Sequence, residues 1–408
     1  MSYSASPVRI SEADLIFAHM RFTSTCLFGL TLLLTACAST QVPVGDPFRS
    51  VVPPPTATAW PRARLKSPEY GIQAFLWWKP ELTKRDLTLV QDLGFQWVKQ
   101  NFSWRDIEPA QKGHYEWKLA DDVVRRVGKR GDLKLLARID RQPLWSQAPN
   151  TPELENAPPA NLKDFGDFCS ALAERYKGKI AAYQVWNEPN LAREWGNRPP
   201  NPAQYVDLLK VCYQGIKSAD PDALVISAGM ATTGTSSDQA MPDDLFIEQM
   251  YQAGAAPYFD LLGVNAPGYK APPEMSPDEV AQKPEYGGQR FFAFRHVEDI
   301  RQIMEKHGDA AKQIAILEMG WTTDPIHPEY AWHAVTEQQQ ADYLVRAYQY
   351  AYEHWSPWIG LMSMLTLADP TWTENDEQYW WAISYPDWPE NRLRPAFNAL
   401  RNMPKLQK

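Results

Sequence analysis

A glutamate between an amide and a proline, in Trp186-Asn187-Glu188-Pro189-Asn190, closes the short apolar run Ile180-Ala-Ala-Tyr-Gln-Val185. A second, Glu318, ends the run Gln313-Ile-Ala-Ile-Leu317 and is followed by Met319-Gly320-Trp321. Two carboxyl groups presented by strands far apart in sequence suit a reaction in which one group donates a proton while the other attacks or activates a nucleophile. That is the chemistry of splitting a glycosidic bond. Taken singly, each motif has a plainer reading: Asn-Glu-Pro is good turn chemistry, and a strand-end Glu can be half of a salt bridge. A shared site requires Glu318 to stay ionised and Glu188 to keep its proton, so their surroundings must differ. Asn187 offers both a donor and an acceptor, which suits a sugar hydroxyl.

The elements that would position these groups repeat along the chain. Short apolar runs lie at Gly71 to Trp77, Gln96 to Asn101, Leu133 to Ile139, Ile180 to Trp186, Ala223 to Ala228, Leu261 to Asn265, Gln313 to Leu317 and Ile359 to Leu365. Between them, apolar residues recur at helical spacing, as in Leu162, Phe165, Phe168, Leu172 and Tyr176, and a last helix is expected over Arg394 to Met403. Gly94 and Asp220-Pro221 break helices. Eight strand–helix pairs predict an α/β fold, a (β/α)8 TIM barrel forming a single catalytic domain, whose catalytic groups sit at the C-terminal strand ends. A doubly wound sheet would favour a Gly-rich phosphate loop after the first strand, where this chain has Trp77-Trp78-Lys79-Pro80.

With Trp186-Asn-Glu-Pro189 after a fourth strand and Leu317-Glu-Met-Gly-Trp321 on a seventh, the chain resembles clan A glycoside hydrolases, closest in style to families 5 and 39. The resemblance implies a retaining mechanism, with Glu188 as acid/base, Glu318 as nucleophile and Asn187 on the 2-hydroxyl of the sugar under attack. It also implies cleft positions for Trp145, in Pro143-Leu-Trp145, and for Tyr269, which would contact the nucleophile because Asn265 stands where His is common. Asn101 is a further cleft candidate, while Trp104 reads equally well as core. The family's usual Trp after strand eight is missing; Thr366-Leu-Ala-Asp-Pro370 and then Trp372 occupy that region, leaving the sugar platform open.

Seventeen Trp and 18 Tyr against 22% charged residues make an aromatic load beyond what a core requires. Flat sugar faces could stack on Trp145, Trp195, Trp321, Trp372, Trp380 or Trp381, with rim packing as the alternative for each. A net charge of -8 without a basic block excludes nucleic acid and anionic membrane surfaces as natural partners. The seven His are scattered, and His-Glu-x-x-His, Cys-x-x-Cys and Gly-x-Ser-x-Gly are all absent, so the expected metal and cofactor complement is none.

Ahead of the barrel, Arg21, the run Cys26 to Leu34 and Leu34-Thr-Ala-Cys37 read as an export signal resembling a bacterial lipobox, with lipidation at Cys37. Met20 is the more natural start. The expected organisation is a signal region over 1–37, a Pro/Thr-rich disordered tether over 38–67 and the barrel over 68–404. The protein would then be exported and held to the membrane only by an N-terminal lipid, or otherwise secreted. Cys169 and Cys212, each within a helical pattern, are expected as buried free thiols that could pair only if their helices are neighbours. The function expected is a retaining hydrolase of β-linked poly- or oligosaccharide. The reading from a different class is a non-catalytic glycan-binding surface lipoprotein on the same fold.

Overall fold

The computed structural model describes residues 65–77, 82–149, 153–387 and 390–408. The expected signal, the Cys37 lipidation site and nearly all of the tether lie outside them. Leu65 and Ser67, at the tether's end, are tied into the barrel: Leu65 N donates to Gln313 Oε1 at 2.9 Å and Ser67 N to the Lys408 carbonyl at 3.2 Å.

Eight parallel strands close into a barrel in sequence order: β1 Glu69–Gln73, β2 Trp97–Asn101, β3 Lys134–Ile139, β4 Ala182–Val185, β5 Leu224–Ser227, β6 Leu261–Pro267, β7 Gln313–Gly320 and β8 Ile359–Met364. The expected (β/α)8 barrel is therefore the observed fold. Each strand is followed by a covering helix, among them Leu162–Arg175, Pro202–Ala219, Glu337–Tyr350 and a final Pro395–Asn402. β1 ends at Gln73, earlier than its apolar run predicts: Ala74 N still donates to the Lys99 carbonyl at 3.0 Å, but Leu76 and Trp77 are buried without pairing to β2. Apolar character reports burial, and burial outlasts the strand here.

Trp97, Leu136, Ala182, Leu224, Ile226, Leu261, Ala315, Leu317 and Leu361 fill the barrel interior, and a larger apolar layer packs between strands and helices. Strand side chains alternate inward and outward. On β2 that rule sends Lys99 inward with Trp97, and on β3 it sends Arg138 inward with Leu136.

Cys169 and Cys212 are joined in a disulfide, which overturns the expectation of free thiols. Their helices, Leu162–Arg175 and Pro202–Ala219, come together at two glycines. A Cβ on Gly215 would stand 2.5 Å from the Gly166 carbonyl oxygen, and one on Gly166 would stand 3.1 Å from that of Val211. Close backbone approach brings the two sulfurs within bonding reach, and only the tertiary packing could reveal that.

Candidate active site

Glu318 lies within β7, two residues short of the strand's end, rather than just beyond the strand. The register of β6 against β7 pairs Val264 with Ile316 but Asn265 with Glu318, so Leu317 is an extra residue. This bulge reverses the alternation: Leu317 faces the barrel interior, Met319 joins the outer layer, and the carboxylate between them enters the barrel mouth. There Glu318 Oε1 meets Lys99 Nζ at 2.7 Å and Arg138 Nη1 at 3.7 Å. Lys99 is almost fully buried and also donates to the Leu317 carbonyl at 3.2 Å, so both ends of its interaction are with β7. Burial alone would raise the Glu318 pKa, but the charges of Lys99 and Arg138 outweigh it and hold the carboxyl below its ordinary value.

Glu188 is set just past β4 on a strained backbone. Trp186 (φ 75°) and Glu188 (φ 41°) both occupy the left-handed region. The loop is pinned on both sides: Glu188 N donates to the Gly229 carbonyl at 3.1 Å and Trp186 Nε1 to the Glu194 carbonyl at 2.9 Å. Asn190 anchors it to the β5 loop by donating to the Ala231 and Met241 carbonyls and accepting from Ala231 N. Glu188 Oε1 accepts from Asn265 Nδ2 at 3.0 Å, and Oε2 lies 3.4 Å from Arg193 Nη2. Gly229 makes room for this contact, since a Cβ there would fall 2.1 Å from Asn265 Oδ1. Burial raises the Glu188 pKa above the ordinary glutamate value. The charge of Glu318 adds to the rise, while Arg193, Asn265 and Arg138 pull the other way.

The structure gathers some of the expected site residues and sets others apart. Asn187 is buried beside the carboxylates, its Oδ1 accepting from Arg138 Nη1 at 3.3 Å. Asn101 shares a cavity with Gln73, Phe75, Arg138 and Arg141, and its Oδ1 has no partner among the described residues. Trp372 is partly exposed with its ring edge-on to Phe75, which lines that cavity. Trp145 is half-buried at the rim, where it donates to the Glu108 carbonyl and packs edge-on against Trp104.

Tyr269 does not contact Glu318. Its hydroxyl donates to the Thr232 carbonyl at 2.8 Å, which fastens the β6 loop to the β5 loop. Nor is Trp321 a platform for sugar. It is fully buried, its Nε1 donates to the Ala271 carbonyl at 3.0 Å, and its ring lies so close to Gly268 that a Cβ there would overlap it. Trp195 and Trp381 are likewise buried, leaving Trp380 partly exposed.

The residues that hold the two carboxylates were not singled out from sequence: Lys99, Arg138, Asn265 in its contact with Glu188, and Arg193. A lysine within Trp97-Val-Lys-Gln-Asn101 and an arginine within Leu135-Leu-Ala-Arg-Ile139 were the available signals, because a buried strand rarely carries a cation without an anion to meet. Glu194, six residues after Glu188, is pushed up to about 7, by burial first and the Glu188 charge next. Among the described residues no group of His, Cys, Asp and Glu gathers as a metal site. The arrangement sets a carboxyl whose pKa is held down beside one whose pKa is raised, at one barrel mouth, a pairing suited to nucleophilic attack coupled to proton donation.

Residues 61–253 match the model of the cellulase family, glycosyl hydrolase family 5. Among solved structures the chain is similar to a family 39 glycoside hydrolase from Bacteroides cellulosilyticus WH2, at 18% identity and TM-score 0.60, covering 83% of this chain and 64% of that one. It is also similar to a GH5_18 protein from Bifidobacterium longum subsp. infantis, at 12% identity and TM-score 0.56, covering 83% and 78%. A GH10 endoxylanase from a sugarcane soil metagenome aligns at 16% identity and TM-score 0.53, covering 82% and 96%. The chain thus spans just under two thirds of the length of the family 39 relative. No curated protein matches it. The family match over residues 61–253 agrees with the resemblance to clan A glycoside hydrolases, and the solved structures share the barrel fold.

Proposed function

We propose that this chain is a retaining glycoside hydrolase that cleaves a β-linked poly- or oligosaccharide. The observation that carries the reading is the opposed environment of two neighbouring carboxyl groups: Lys99 and Arg138 hold the Glu318 pKa below its ordinary value, while burial, with the Glu318 charge, raises that of Glu188. In this mechanism Glu318 attacks the anomeric carbon while Glu188 protonates the departing oxygen, which yields a glycosyl ester. Glu188, now a carboxylate, then takes a proton from the water that hydrolyses the ester. Asn187, oriented by Arg138, would hold a hydroxyl of the sugar under attack. The cellulase family model and the endoxylanase neighbour favour a β-linked substrate.

Export with a lipid on Cys37 is part of the same proposal. A disulfide between Cys169 and Cys212 favours it, since such bonds persist in oxidising compartments.

The test is a screen of purified protein against polysaccharides and aryl glycosides, with proton NMR of the first product. Release of the β-anomer and loss of turnover in Glu318→Ala are expected. Full activity in Glu318→Ala would overturn the assignment of nucleophile, and glycan binding without turnover would favour a non-catalytic surface lipoprotein.

A further inference from the structure

Four aromatic side chains gather beyond the ends of β6 and β7 and keep part of their surface in water. Tyr269, Phe291 and Phe292 belong to the long connection after β6, and Trp332 to the one after β7. Trp332 is 37% exposed, in a protein that buries most of its large rings. Single exposed apolar residues are ordinary, whereas a contiguous exposed group marks a surface that something else covers.

The rings are set in fixed orientations. Phe292 stands edge-on to both Tyr269 and Trp332, with ring centres 4.7 Å and 5.0 Å away and planes at 80° and 77°. Braced by that common neighbour, Tyr269 and Trp332 come within 27° of parallel. Phe291 extends the group, its ring centre 4.1 Å from that of Phe292. The backbone leaves room for this packing: a Cβ on Gly287 would overlap the Phe292 ring and stand 3.0 Å from that of Trp332.

Hydrogen bonds tie the patch to the loops that hold Glu188. The Tyr269 hydroxyl is spent on the Thr232 carbonyl, so that residue offers only its ring. Thr232 Oγ1 donates to the Asn265 carbonyl at 3.0 Å, and the Asn265 amide donates to Glu188. Phe291 packs over the same β5 loop, 2.6 Å from where a Cβ would sit on Gly234. In a barrel closed in sequence order β6 lies opposite β2, so the patch and the cavity at the ends of β1 to β3 occupy opposite rims, with the carboxyl pair between them.

We propose that Trp332, braced by Phe292 and flanked by Tyr269 and Phe291, is a stacking platform for a pyranose ring on the leaving-group side of the scissile bond. The assignment rests on the reading of Glu188 as the acid. A β-linked pyranose with equatorial hydroxyls presents a flat C–H face, which an aromatic ring covers by dispersion and by release of water. Rings already locked in place lose little freedom when the sugar arrives. Continuity with the loops around Glu188 is what favours a sugar chain over a protein partner for this patch.

The test compares cellohexaose, xylohexaose or mannohexaose, whichever the wild type cleaves, with the matching β-biosyl fluoride, whose leaving group is a single atom. In Trp332→Ala, kcat/KM for the hexasaccharide should fall roughly threefold to tenfold, the worth of one aromatic contact. For the fluoride it should stay within about twofold of wild type on the same reasoning. Trp332→Phe, which keeps a ring, should recover part of the loss and covers the case in which the alanine variant folds poorly. Calorimetric titration of hexasaccharide into Glu318→Ala, with and without Trp332→Ala, should show a similar loss of affinity. Equal losses on both substrates, or none on either, would overturn the proposal and leave the patch to another partner, with the glycosidase reading intact. A wild type that cleaves none of these compounds would overturn the reading of the site itself, and this inference with it.

Discussion

Asn265 and Glu318 are register partners on neighbouring strands, yet the Asn265 amide donates across the barrel mouth to Glu188, 3.0 Å away, and not to Glu318. The residue beside the proposed nucleophile therefore serves the proposed acid. Its hydrogen bond favours the ionised form of Glu188 and partly offsets the burial that raises its pKa.

Replacing Asn265 with Ala should remove that offset. Glu188 would keep its proton to higher pH, so the basic limb of the kcat/KM profile should move upward while the acidic limb stays in place. Gly229→Ala, which drives a methyl group into the Asn265 side chain, should shift the same limb in the same direction. A limb unmoved in both variants would show that Asn265 does not act on Glu188.

Lys99 should matter more. Lys99→Met leaves Glu318 buried beside Arg138 alone, and breaking a buried ion pair costs about 3–5 kcal/mol. The consequence expected is an acidic limb moved to higher pH and a loss in kcat/KM of a hundredfold or more, about 1.4 kcal/mol for each tenfold. Lys99→Arg should recover part of it. An unchanged profile with lowered thermal stability would make Lys99 purely structural.

The signs of the two pKa shifts predict a bell-shaped rate profile. Activity should fall as pH drops through the depressed Glu318 value and fall again as pH rises through the raised Glu188 value. Stability follows the same shifts. Glu318 contributes stability that is present above its unfolded pKa and lost as pH falls through its folded one. Glu188 binds its proton more tightly when folded, so its contribution declines as pH rises from the unfolded to the folded pKa. Thermal melts of Glu188→Gln should accordingly exceed wild type most at neutral pH, and a deficit there would contradict the assignment.

The disulfide joins the covering helices Leu162–Arg175 and Pro202–Ala219. Reducing it, or replacing both cysteines with Ala, should cost about 2–4 kcal/mol and lower Tm without changing KM. A melting curve indifferent to reductant would mean that the bond adds nothing to stability.

Much of this was legible in the sequence because strand runs and their sequels are local signals. Ile180 to Val185 and Gln313 to Leu317 are apolar on both faces, as parallel strands covered inside and out must be, and the polar residues that follow them fall at the barrel mouth. The (β/α)8 order, and Glu188 and Glu318 at one end of it, could be read from that pattern alone. Tertiary contact decided the rest. A one-residue bulge at Leu317 turns Glu318 toward the mouth and Met319 away, and no local pattern announces a bulge. Tyr269 and Trp321 had the right chemistry for a cleft, but the backbone carbonyls of Thr232 and Ala271 claimed their polar atoms. Lys99 and Arg138 lie on separate strands from Glu318, so their neutralisation of it exists only once the barrel closes. The sequence by itself determined where the strands lie and end, and so the end of the barrel at which Glu188 and Glu318 gather. Tertiary structure decided which carboxyl has its pKa held down and which has it raised, because that depends on neighbours brought from other strands and on how much water their meeting excludes.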